Sequence, residues 1–149
     1  STGWPGCEFN HLPENASSLI HYQQYQGTRD IAAFLTVPAA IEYQVNHDWA
    51  AQRARCHMLA VETQHQICAI TGLEPFSPFS GECFAQFVSV PLPSGELSPL
   101  AAKLKEEKIV VPVFPLMQTG QNCIRISYQA YNTEEDMEKL LSVMSSYYS

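Results

Sequence analysis

The sequence predicts an α+β domain, within the broad α/β class: a small sheet of about three strands covered by helices on one face. Three observations carry that expectation. Apolar residues recur at helical spacing in two long stretches and again at the C-terminus. Between them lie short runs that alternate or are rich in β-branched residues. The order of these segments, loop–α–α–β–α–β–β–α, suits a layered sandwich better than a doubly wound parallel sheet.

Residues 1–30 are rich in Gly, Pro, Asn, His and Gln, have little periodicity, and read as an extended lead-in loop. From Asp30 the pattern turns helical, with Ile31, Phe34, Leu35, Ile41 and Val45 near one face and Asp30 as N-cap. Pro38 lacks a backbone donor, so it should kink this helix or mark its effective start. A second helix is expected from the N-cap Asp48 to the C′ residue Gly72, roughly 35 Å long by the helical rise. Ala54, Met58, Val61 and Cys68 lie along one side of it. A turn-rich PFSPFSGE stretch follows, then a strand in CFAQFVSVPL. LAAKLKEEK forms a short amphipathic helix. IVVPVF reads as an edge strand because of its proline. PLMQTGQN is a loop, and CIRISYQAY is a third strand. Thr133 caps a last helix whose first turn is acidic (Glu134, Glu135, Asp136), as the helix dipole favours. Met137, Leu140, Leu141, Met144, Tyr147 and Tyr148 form its apolar stripe.

Composition removes several function classes. A chain of 149 residues with a formal net charge of −7 and eight Lys plus Arg has no basic face for nucleic acid or an anionic membrane surface. No apolar run reaches the roughly 20 residues of a membrane helix. The N-terminus lacks the layout of a signal peptide and reads as a chain entered in mid-loop. Five cysteines, never arranged as CxxC, argue against a disulfide framework and for a reducing cytoplasm. The nearby pairs Cys56–His57 and His65–Cys68 raise zinc as an alternative. On one helix, however, Cys56 and Cys68 are more than three turns apart and cannot share a tetrahedral site, so no metal is expected.

Two places carry chemistry. In CIRISYQ, Ile124, Ile126 and Tyr128 fall on one strand face, and Cys123, Arg125, Ser127 and Gln129 on the other. An arginine in an otherwise uncharged strand is costly unless paired or aimed at an anion. Either a carboxylate clamp or a structural bridge to an acid of the same domain satisfies it. Gly27-Thr28-Arg29-Asp30 combines small residues, a hydroxyl and a helix N-terminus, which suits either an anion cradle or simply a turn and an N-cap. No GxSxG, Walker-type loop or HExxH occurs. No lysine among Lys103, Lys105, Lys108 and Lys139 sits in surroundings that would depress its pKa for covalent work. The chain therefore offers half of a site and no catalytic residue of its own.

The same two places resemble a known family. YQQYQGTRDIAAFLTVPAAIEY is similar to the GTRD…VPAAI segment of class V aminotransferase-like enzymes, and RISYQAYNTEEDMEKLL is similar to their C-terminal signature R-(I/A)-S-x-x-x-YNTxED. The likeness is closest to the isopenicillin N epimerase-like branch. It implies a fragment of a fold-type I enzyme that uses pyridoxal 5′-phosphate: residues 1–30 lead in from a large N-terminal domain, and 31–149 form the C-terminal small domain with its connecting helix. It also implies that the lysine carrying the cofactor lies upstream, that Gly27 and Thr28 contact the cofactor phosphate across a homodimer, and that Arg125 binds the α-carboxylate of an amino-acid substrate. Epimerisation or transamination at Cα is the implied outcome. A desulfurase or lyase relative is one alternative, but such enzymes need a cysteine on the loop before the arginine strand, and Pro115–Asn122 has none. A non-catalytic, stand-alone interaction domain is the other.

Overall fold

A computed structural model describes residues 30–149. The chain divides into two compact units, Ser1–Tyr43 and Gln44–Ser149. In the first, a short helix α1 spans Ala32–Leu35, and α2 (Val37–Asn46) begins there and runs past the boundary. Asp30 Oδ1 accepts from the Ala32 N–H at 2.8 Å. The helical stretch is broken at Thr36, and Pro38 stands in the first turn of α2, where its missing N–H costs nothing. Pro38 therefore marks an effective start, as expected. The apolar face is not buried, however: neither helix encloses any residue, and Leu35 and Val45 are 70% and 75% exposed. Helical periodicity reports the face a helix can bury, whereas burial itself needs a partner surface.

The second unit is built on α3 (Trp49–Thr71). Its ends are the expected ones. Asp48 accepts from the Ala51 N–H at 3.3 Å, and Gly72 takes the left-handed conformation (φ 69°), its N–H donating to the Cys68 carbonyl at 2.8 Å. The buried side of α3 differs from expectation. Cys56, Leu59, Ala60, Thr63, Gln64, Ile67 and Cys68 face inward, while Ala54 is exposed and Met58 is 66% exposed. The true stripe contains two polar residues, Thr63 and Gln64; both hydrogen-bond inside the fold, although among the described residues Gln64 Oε1 is buried without a partner. Thr63 Oγ1 donates to the Leu59 carbonyl (2.7 Å) and lies 2.6 Å from the Tyr128 hydroxyl. Gln64 Nε2 donates to the carbonyl and hydroxyl of Ser77. Cys56 and Cys68 are core residues, and among the described residues the helix histidines hold the following loop: His57 Nδ1 donates to the Ala85 carbonyl at 2.6 Å, and the His65 ring packs 4.2 Å from that of Phe79. The loop approaches α3 so closely at Gly81 (φ 75°) that a Cβ there would meet Val61 Cγ2 at 2.6 Å.

Three strands follow: β1 (Phe87–Pro91), β2 (Val113–Pro115) and β3 (Asn122–Ser127), in the antiparallel order β1–β3–β2. The strand expected over 109–114 is shifted and shorter. Pro112 cannot donate to a ladder, and it joins the sheet only through its carbonyl, which accepts from the Arg125 N–H at 3.0 Å. Before it Val110 is 97% exposed and unpaired to β3. Between β1 and β2 lies α4 (Ser98–Glu106), which buries Leu100 and Leu104. The β2–β3 turn is pinned at both ends: the Leu116 N–H donates to the Gln121 carbonyl (2.9 Å) and the Gly120 N–H to the Leu116 carbonyl (2.7 Å), with Gly120 at φ 70°.

The last helix, α5 (Glu134–Tyr148), carries the expected cap as a full capping box. The Asp136 N–H donates to Thr133 Oγ1, and the Thr133 N–H donates to Asp136 Oδ2 at 3.0 Å. Leu140, Val143 and Met144 are buried, with Met137, Leu141, Tyr147 and Tyr148 packed at the edge of the core. The helices α3 and α5 pack together, and α3 lies against β1. One sheet face, with Val88, Val90, Ile124 and Ile126, closes the core. The expected α+β architecture, helices over one face of a three-stranded antiparallel sheet, is what the structure has.

Candidate functional site

The other sheet face is where Arg125 stands. Alternation along β3 makes Asn122, Cys123, Ile124 and Ile126 buried and Arg125 and Ser127 exposed. Across the ladder Arg125 pairs with Ser89, Ser127 with Phe87, and Cys123 with Pro91. On the opposite edge Cys123 pairs with Phe114. Directly opposed residues share a face, so Arg125 is framed by Phe87, Ser89, Ser127, Phe114 and Cys123, none of them charged at neutral pH. Exposure is graded across this face. Cys123 and Pro91 are buried, Ser89 and Phe114 half-buried, and Phe87, Arg125 and Ser127 exposed.

Among the described residues the Arg125 guanidinium makes no hydrogen bond or ion pair. The structural alternative, a bridge to an acid of the same domain, is therefore not what the described fold contains. A guanidinium that is unpaired and held by a strand is a preformed receptor for a carboxylate, because its planar fork offers parallel N–H donors.

The strand itself is held firmly. Arg55 on α3 was not singled out by the sequence reading, yet its guanidinium donates to the carbonyls of Ala130 and Asn132, each at 2.9 Å. Asn132 closes the turn after the strand, its Oδ1 accepting from the Gln129 N–H at 2.9 Å. Gln86 Nε2 donates to the Tyr128 carbonyl, and the Tyr128 N–H to the Gln86 carbonyl, both at 2.9 Å. The YNTEED stretch is thus a physical device: a turn, a clamp and a helix cap that together fix where β3 ends. An arginine among polar residues on a helix gives no signal in sequence that its partners are carbonyls some 75 positions away.

Cys123 lies two residues before Arg125, is fully buried, and its Sγ donates to the Phe114 carbonyl at 3.3 Å. Burial pushes its thiol pKa up, with Arg125 pulling weakly the other way. Neither property suits a thiolate nucleophile on a swinging loop. Lys139 Nζ donates to the Glu107 carbonyl at 2.6 Å, on α5 rather than on the Arg125 face. The register neighbours of Arg125 on this face include no lysine. Gly27 and Thr28 lie outside the described residues.

What the fold and this face define is an α+β domain whose sheet presents Arg125, an arginine without a hydrogen-bond or ion-pair partner among the described residues. Comparison with known proteins places it further. The family model for aminotransferase class V matches residues 11–140, and the chain belongs to that family, whose members work with pyridoxal phosphate. It is 31% identical over 142 residues to an isopenicillin N epimerase of Amycolatopsis lactamdurans, a match covering 94% of this chain and 35% of that protein. An isopenicillin N epimerase of Streptomyces clavuligerus is 28% identical over 124 residues, covering 81% of this chain and 30% of that one. The chain thus spans about a third of the length of these curated relatives. In fold it is similar to a cysteine desulfurase from Thermococcus onnurineus NA1, with a TM-score of 0.69 and 23% identity over 83% of this chain and 32% of that one. Among the described residues no helix is long and apolar enough to cross a membrane.

Proposed function

We propose that this chain is the C-terminal small domain, with its lead-in loop 1–30, of a cytoplasmic pyridoxal-phosphate enzyme that acts at the α-carbon of an amino acid by epimerisation or transamination. The observation that carries the reading is Arg125 on the outer face of a clamped strand, exposed and without a partner among the described residues. In this role Arg125 takes the substrate α-carboxylate through two parallel N–H···O bonds. Holding the carboxylate fixes the rotation about the Cα bonds, and with it the bond that stands in line to break. Pyridoxal phosphate, when bound, supplies the electron sink for charge that develops at Cα. Gly27 and Thr28 take the cofactor phosphate of the neighbouring subunit, which makes the whole enzyme a homodimer. The lysine that carries the cofactor belongs to the large N-terminal domain. The free thiols Cys56, Cys68, Cys83 and Cys123 suit a reducing compartment. The desulfurase reading gains no support from the buried Cys123.

The test is Arg125→Gln in the natural full-length protein, read as exchange of the substrate α-proton with deuterated solvent. Loss of charged hydrogen bonds to a carboxylate should raise KM about 10- to 100-fold. An unchanged KM would return Arg125 to a surface residue, whereas a full-length protein that exchanges no α-proton at all would favour the non-catalytic interaction domain.

A further inference from the structure

A lone exposed phenylalanine needs no explanation on most proteins. Phe87 differs in what it stands beside. It is 54% exposed on β1, pairs with Ser127, and so lies diagonally from Arg125 on the same face, within reach of a long side chain. Ser89, directly opposite Arg125 and next to Phe87 on the same face of β1, is half-buried and small, so it puts no bulk beside the ring and the guanidinium. Phe87 is not a core residue: its β1 neighbours Val88 and Val90 fill the core and it points the other way. Among the register neighbours Phe87, Ser89, Arg125, Ser127 and Phe114, Arg125 alone is charged. From these register neighbours a ligand seated there meets one cation at one end, an apolar ring beside it, and no second charge.

We propose that Arg125 and Phe87 form one two-part site, the guanidinium taking a carboxylate and the ring taking the aliphatic chain next to it, so that this face selects amino acids whose side chain begins with uncharged methylenes. The inference rests on the carboxylate role given to Arg125 above and adds a substrate class to it. Excluding water from one side of the guanidinium also strengthens the ion pair, since Coulomb attraction grows as the local dielectric falls.

Straight-chain monocarboxylates test the idea on this chain directly, without cofactor. Titrations with acetate, butyrate and hexanoate at constant ionic strength are followed by amide chemical shifts. The Arg125, Ser89 and Phe87 amides should move together, and affinity should rise about two- to fourfold per added methylene as each is partly buried. Phe87→Ser should flatten that length dependence and leave acetate binding in place. Phe87→Leu, which restores apolar area, should keep it. Arg125→Gln should abolish the shifts for every acid. If the Arg125 amide responds to all three acids with equal affinity, the clamp stands and the role of Phe87 is wrong. If hexanoate still binds at Phe87 in Arg125→Gln, the two residues are not one site. If no acid moves the Arg125 amide, the carboxylate reading itself falls.

Discussion

The two faces of β3 are made from the same six residues, yet they answer to different demands. On the inner face Ile124 and Ile126 are buried in the core, and Tyr128 continues the row with its hydroxyl against Thr63. On the outer face Arg125 and Ser127 meet solvent, opposite Ser89 and Phe87. From Ile124 onward the even-numbered positions fill the core and the odd-numbered ones meet solvent, while Cys123 before them is buried. Because neighbouring residues point oppositely, either set can change without disturbing the other.

Substitutions that cross this division should separate cleanly. Ile124→Ala removes a fully buried branched side chain from the centre of the sheet. It should cost about 2–5 kcal/mol of unfolding free energy, read by denaturant titration, and its loss should exceed that of any outer-face change. Tyr128→Phe keeps the ring and removes a buried hydroxyl, for about 1 kcal/mol. It also carries a pH signature. Burial, the main cause, lifts the Tyr128 pKa above its ordinary 10.0, with the Thr63 hydrogen bond opposing. A pKa higher in the fold than in the unfolded chain gives stability that is in place below pH 10 and is lost as pH climbs through the folded value. Wild-type stability should therefore fall more steeply above pH 10 than that of Tyr128→Phe, measured by thermal melts across alkaline pH. Arg125→Gln should have the smallest effect on folding, within about 0.5 kcal/mol, because it replaces an exposed, unpaired side chain. A loss of several kcal/mol there would break the comparison and make Arg125 a structural residue.

What could be read from the sequence follows the same line between local and distant causes. Asp48, Gly72 and Thr133 act on backbone groups within a turn of themselves, so their caps were visible in advance. The alternation of CIRIS is equally local, and it placed Arg125 on the correct face. The buried side of α3 was misread because Thr63 and Gln64 look polar until their partners on Leu59, Tyr128 and Ser77 are known. The strand expected at Ile109–Val111 fails because β-branched composition does not supply a pairing edge, and Pro112 withholds a donor where the ladder would extend. Arg55 was missed because the carbonyls it grips become neighbours only after folding. For the candidate site, the arginine was readable and its apolar neighbour Phe87 was not, because their proximity is a property of register.

The pinned turn between β2 and β3 sets that register, and it acts like the phase of a reading frame. A strand whose side chains repeat every two residues has two settings, and a slip of one residue exchanges them everywhere at once. In this chain the wrong setting would drive the Arg125 guanidinium into the core and turn Ile124 and Ile126 out to water. The hydrogen bonds joining Leu116 to Gln121 and Gly120 determine which setting is used. Lengthening that turn by one residue would rewrite the outer face of β3 more thoroughly than replacing any residue on it.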